Sequence, residues 1–284
     1  MTVRVPVGVP ANLKSPLFVS AAEAASPATS VTCSVTSLRT GASITPTASA
    51  FDDGTTTAVT GRYVATLPAY PMPDILTVAW VGTVDAATVT LTDTVRVVGS
   101  HYATVPEITG SANLVNKPLV SHARVAELRD AFASIASEYI GESMTLEYDV
   151  ATVNPCRSLL LPHPACTLVT VADADDADVL IDWTVNGIGL LRSETSTSNA
   201  PYSFAYDHGW NQPDRLRQAC VEWVSSVIMR TDGGSARDVI WQAPDGGARY
   251  STPDWDAGRP TGMLDVDNVL NELRSQFGAN EHIA

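Results

Sequence analysis

Lysine is almost missing from this chain: Lys14 and Lys117 stand against fifteen arginines. Charge of any kind is sparse, at 17% of 284 residues, and it is lopsided, with a net of −14. Residues 1–100 hold five basic and six acidic side chains, whereas residues 101–284 hold twelve and twenty-five. A protein that grips nucleic-acid phosphates draws its affinity from a basic patch and counterion release. This composition offers no such patch. An acidic surface keeps a protein soluble and lets DNA pass without sticking. Cys33, Cys156, Cys166 and Cys220 are scattered, with no Cys-x-x-Cys pair, so a zinc site is not expected. A chain this long needs no disulfide staples, and all four read as buried free thiols. No run approaches 18 apolar residues, so no membrane span is expected. The stretch PLFVSAAEAAS is too short and too broken by Glu23 to read as a secretory signal. G-x-G-x-x-G, P-loop and G-x-S-x-G motifs are absent, which leaves nucleotide binding and serine-hydrolase chemistry without an anchor.

What is present is ample apolar material, 45% of residues, and many Val and Thr, which favour strands. Residues 1–100 read as an all-β sandwich. VTCSVTSL, RYVATLP, ILTVAWVG and ATVTLTDTVRVVG are short, partly alternating runs separated by Gly, Pro and Asp clusters. Trp80 is expected to anchor that core, and Val89, Leu91, Asp93, Val95 and Val97 share one face. Residues 101–120 lack a sustained period and read as a linker. From residue 121 the spacing becomes helical: Val125, Leu128, Phe132, Ile135 and Tyr139 form one face, between Ser121 as N-cap and Gly141 as stop. Strand candidates follow in TLEYDVAT, RSLLLP, CTLVTVA, DVLIDWTV and YSFAYDHG. Pro213 opens a second helix with Leu216, Cys220, Trp223 and Val227 on one face, stopped at Asp232-Gly233-Gly234. Residues 233–262 read as a long loop. Asp265 can cap a last helix whose stripe is Val266, Val269, Leu270, Leu273 and Phe277.

Three constellations look chemical. Asp207-His208-Gly209 places a histidine beside a carboxylate, but neighbours on a strand point to opposite faces. The simpler reading is a strand-ending turn in which Gly209 supplies positive φ and His208 bonds the local backbone. His163 and Cys166 lie together in LPHPAC, a proline-stiffened turn, whereas a Cys–His nucleophile usually joins distant segments. The acidic run from Asp173 to Asp178 has neither the glycine nor the glutamate of a calcium loop, and it reads as a solvated turn. No catalytic residue, cofactor site or metal ligand is therefore assigned. Trp241 and Trp255 sit in a polar, Pro/Gly-rich stretch where aromatics suit an interface. With Leu264, Val266, Val269, Leu270, Leu273 and Phe277 they make the candidate interface set.

Three stretches in order resemble the head-to-tail adaptor (connector) proteins of long-tailed bacteriophages. The first is VAELRDAFASIASEYI. The second runs from LLLPHPACTLVTV through GLLR to YSFAYDHGW and PDRLRQACVEWVSSVI. The third is PTGMLDVDNVLNELR. The likeness covers about residues 121–277. The front region resembles the immunoglobulin-like module that precedes such adaptors in phages of actinobacterial hosts, through Gly61-Arg62-Tyr63 and Val78-Ala79-Trp80. The chain departs from the adaptor pattern at Asp173–Asp178 and at 193–201.

The resemblance implies an α+β chain. Its parts would be an immunoglobulin-like sandwich over 1–100, the linker, and a mostly helical adaptor domain with a few strands over 121–284. Within the last, residues 260–284 would be a docking segment. It further implies a non-enzymatic virion protein, assembled in the host cytoplasm. That protein would form a ring of twelve subunits between the portal and the next tail-side connector. It would line part of the DNA channel, binding neither DNA specifically nor membrane. Two other readings stay open: a surface adhesin working through the sandwich, and a small hydrolase working through Asp207, His208 and Cys166.

Overall fold

The computed structural model describes residues 3–52, 58–115, 120–153, 158–163, 166–173, 175, 177–180, 183–186, 190–193, 201–232, 239–242, 248–250 and 260–277. The first lobe is all β. Its strands are β1 (Val3–Pro6), β2 (Ala11–Lys14), β3 (Thr29–Ser37), β4 (Ser43–Ile44), β5 (Ala48–Asp52), β6 (Ala58–Leu67), β7 (Asp74–Val84) and β8 (Ala87–Val98). One sheet has the order β1-β8-β7-β3-β4 and the other β2-β6-β5. β1 runs parallel to β8, while β7 pairs antiparallel with β3 and β8. Alternation decides what is inside: along β7, Leu76, Val78 and Trp80 are buried on one face. They meet Leu13, Ala65 and Leu67 of the second sheet in one core, with Trp80 fully buried.

The stretch read as a linker is built into the fold. Thr104 and Glu107 form a capping box on α1 (Val105–Thr109), with a proline in its first turn. Tyr102, Ala103, Ile108 and Leu114 then bury themselves in the helical core. That core joins α1 to α2 (His122–Ile140). Val125, Leu128 and Phe132 face inward on α2 as their spacing requires, and Ala136 and Ile140 complete the face, with Ile135 and Tyr139 half-buried beside it. Gly141 ends the helix in the left-handed conformation, φ 84°.

Six strands follow: β9 (Glu147–Val153), β10 (Ser158–Leu160), β11 (Cys166–Ala172), β12 (Trp183–Val185), β13 (Leu190–Ser193) and β14 (Tyr202–His208). They form two three-stranded sheets, β11-β14-β9 and β10-β13-β12. Trp183, Leu191, Tyr202, Phe204 and Tyr206 share a core across them. The chain returns to the helical core as α3 (Asp214–Asp232), passes a hairpin of β15 (Val239–Gln242) and β16 (Ala248–Tyr250), and ends in α4 (Leu264–Phe277). No helix among the described residues is long and apolar enough to cross a membrane.

The expected mostly helical adaptor domain is therefore corrected. After residue 121 the described chain forms only three helices against eight strands. Val, Thr and aromatic residues mark the stretch between α2 and α3, which buries its apolar faces through sheets while the helices share a core of their own. Part of the stretch read as a long loop, 233–262, is likewise a hairpin.

Hydrogen bonds and ion pairs join the two lobes. Gly99 N donates to Leu146 O at 2.7 Å and Ser100 N to Thr145 Oγ1 at 2.9 Å. The Arg4 guanidinium pairs with buried Glu147, and Arg96 reaches the same carboxylate at 3.3 Å. Arg4 N donates to Asp130 on α2. Arg39 grips Asp207 with both nitrogens, at 2.6 and 3.0 Å. Each lobe keeps its own apolar core, so charge rather than apolar area fixes their relation.

Candidate functional site

Beside this junction, the ends of three segments converge. Gly209, at φ +107°, turns the chain sharply after β14; a Cβ there would lie 2.1 Å from Thr145 O. That close approach presses the end of β14 against the α2–β9 connection. It sets the His208 ring against Glu142, the second residue past the last turn of α2. His163 arrives from the β10–β11 connection.

His208 Nδ1 lies 2.8 Å from Glu142 Oε1. His163 Nδ1 lies 3.4 Å from the same oxygen without completing a hydrogen bond. The two imidazoles stack, with centroids 3.7 Å apart and planes 11° from parallel. On the far edge of His163, Nε2 faces Asp149 Oδ2 at 3.8 Å. The Glu142 side chain is 0% exposed and that of His208 3%. Burial works to raise the Glu142 carboxyl, but the close approach of the His163 and His208 rings outweighs it and holds the group at about 2. Glu142 Oε2, His163 Nδ1 and His208 Nε2 are all buried without a hydrogen-bond partner. The site opens on a cavity of about 290 Å³ lined also by Arg4, Arg96, Glu138 and Glu147.

Asp207 and His208 diverge as strand alternation requires: Asp207 faces Arg39 of the first lobe and His208 faces Glu142. The expected backbone bond of His208 is corrected to this carboxylate bond, because the ring points into the gap under the end of α2. Cys166 stands across the strand pair from His208. Burial, reinforced by the Glu142 charge, pushes its thiol up to about 11, the opposite of the shift that activates a nucleophilic cysteine. The acidic run is a local turn: Asp173 Oδ1 accepts from the backbone N–H of Asp175 and Ala177. Asp176 lies outside the described residues.

The candidate interface set is largely covered by its own chain. Val266, Leu270 and Leu273 are buried in the core shared with α2 and α3, and Val269 and Phe277 pack against its edge. Phe277 also lies 5.0 Å from the Trp210 ring. Among its described members only Leu264 stays well exposed, at 59%. The start of α4 is held by Asp267 rather than Asp265: its Oδ1 accepts from Thr261 N at 3.0 Å and Thr261 Oγ1 at 2.6 Å. Trp241 lies on β15, with its side chain outside the described set, and Trp255 lies outside the described residues altogether.

Sequence reading missed Glu142, which sits alone at a helix end. Its partners come from 21 and 66 residues further along the chain, so no local motif records the cluster. Free Cys33 and Cys220 are buried, as expected of them; Cys166 is corrected to half-buried, since it opens β11 at the edge of the strand pair, and Cys156 lies outside the described residues. No protein-family model matches this chain, and no curated protein matches it at a meaningful level.

Proposed function

We propose that the chain is a non-enzymatic structural protein of the phage head-to-tail adaptor kind, forming a ring between portal and tail. What supports this is the agreement between the three resembling stretches and whole folded elements. VAELRDAFASIASEYI lies within α2, PDRLRQACVEWVSSVI opens α3, and PTGMLDVDNVLNELR makes the Thr261–Asp267 turn and α4. The three helices pack into one core from which the strands of residues 147–208 extend. A closed ring requires two different patches on each subunit. The acidic residues after position 100 suit a channel that repels passing DNA, and the partners are the portal and the next tail-side connector.

The test is a cryo-electron reconstruction of the virion neck. It is expected to show this two-lobed fold as a closed ring of twelve between portal and tail. A neck whose density is fully explained by other chains overturns the proposal. Tight, salt-sensitive duplex binding by the isolated protein contradicts the channel role.

A further inference from the structure

We propose that Glu142, His163 and His208 bind one divalent transition-metal ion of the zinc class. The ion would tie together the end of α2, the β10–β11 connection and the end of β14. Its first support is spacing. Both histidine Nδ1 atoms approach one carboxylate oxygen, at 2.8 and 3.4 Å. An ion held tetrahedrally at about 2.0–2.1 Å from each ligand sets its ligand atoms roughly 3.3 Å apart. All ligand atoms lie within 4.8 Å of one another, near the separations coordination needs. The two rings, stacked 11° from parallel, must swing apart for both Nδ1 lone pairs to reach one ion, and the partly exposed His163 ring is the one that turns.

The second support is unmet hydrogen-bonding capacity. His163 Nδ1, His208 Nε2 and Glu142 Oε2 are buried without partners, although buried polar atoms almost always have one. An ion bound through Nδ1 satisfies the first and third and leaves His208 Nε2 as it is. Coordination engages His163 Nδ1 and lets the free carboxylate oxygen join the shell. The single His208–Glu142 hydrogen bond is exchanged for two ligand bonds from the same groups.

The surroundings fit as well. Asp149 faces the outer nitrogen of His163, the place where a metal-bound histidine commonly directs its remaining N–H. Arg4 and Arg96 both turn to Glu147, so they do not neutralise Glu142, Asp149 or Glu138 around the cavity. Two imidazoles and one carboxylate suit zinc and its transition-metal neighbours rather than calcium or magnesium, which prefer all-oxygen shells. The cavity leaves room for water at a fourth position. This inference does not depend on ring assembly.

The experiment uses the full chain, stripped with a chelator, loaded with zinc, desalted and assayed for metal by mass spectrometry. About one ion per chain is expected, together with a rise in melting temperature that calcium and magnesium do not reproduce. His163→Gln and Glu142→Gln should each weaken zinc binding at least about tenfold. Loading with cobalt should give the visible absorption of a low-coordinate site, and it should be lost in the same variants. His163 is partly exposed, with 25% of its side chain accessible, so its substitution tests binding even if Glu142→Gln fails to fold. A wild-type chain that retains no more zinc than His163→Gln overturns the proposal. So does zinc binding that neither substitution alters.

Discussion

Asp207 and His208 are adjacent, yet their side chains serve different tasks. One is an anchor between lobes and the other belongs to the buried cluster. Asp207 is partly exposed, at 27%, and Arg39 also donates to Pro73 O, so their pair carries modest energy. A double-mutant cycle with Asp207→Ala and Arg39→Ala should give a coupling of about 1 kcal/mol, read from chemical denaturation. A coupling indistinguishable from zero would remove this pair from the junction. His101 is the clearer pH-sensitive group. Burial first, then the charges of Arg129 and Arg4, lower its pKa from 6.5 to about 3. The folded chain keeps it neutral while the unfolded chain protonates it below 6.5. Its contribution is therefore intact above that pH and is lost as pH falls toward 3, by up to about 1.4 kcal/mol per pH unit. His101→Gln should flatten the stability profile across this window, measured by urea unfolding from pH 7 to pH 4.

At the scale of elements, local chemistry ends the strands and helices, and tertiary contact sets what those ends do. Gly209 shows both. Its positive φ was legible in the His-Gly turn, but its contact with Thr145 O belongs to the packed structure. Gly209→Ala should destabilise the chain by about 3 kcal/mol or more, since the new methyl meets backbone that cannot swing away. Thermal melting checks this, and a shift of only one or two degrees would mean that the connection is soft. At α4, Asp267 is 1% exposed and accepts two hydrogen bonds from Thr261. Asp267→Ala should cost about 2 kcal/mol, while Asp265→Ala on the exposed side should cost little. Equal losses in chemical denaturation would return the capping role to Asp265.

The whole molecule is two lobes with three apolar cores, the lobes joined by ion pairs and hydrogen bonds. Every buried member of the helical core lies after residue 101, and every member of the sandwich core lies before residue 99. A fragment starting at residue 101 should therefore keep its helical circular dichroism. It should nonetheless unfold at lower denaturant than the full chain. Glu147 loses both Arg4 and Arg96, and breaking a buried pair costs on the order of 3 kcal/mol. A fragment as stable as the intact protein would show that the junction adds nothing.

Local patterning was enough to read the sandwich, the three long helices and the faces they bury. Those follow from periods of 2.0 and 3.6 residues and from local stops such as Gly141 and Pro213, all of which act within a few residues. It also held the Thr104–Glu107 capping box, although the surrounding lack of period concealed it. Which side of the strand-rich region faces which partner followed from packing alone. Arg4 finds Glu147 across 143 residues and His208 finds Glu142 across 66. A lone glutamate after a helix looks like solvent-facing charge until sheet pairing carries two histidines to it. Contacts of that kind depend on register and docking, which no short window of sequence contains.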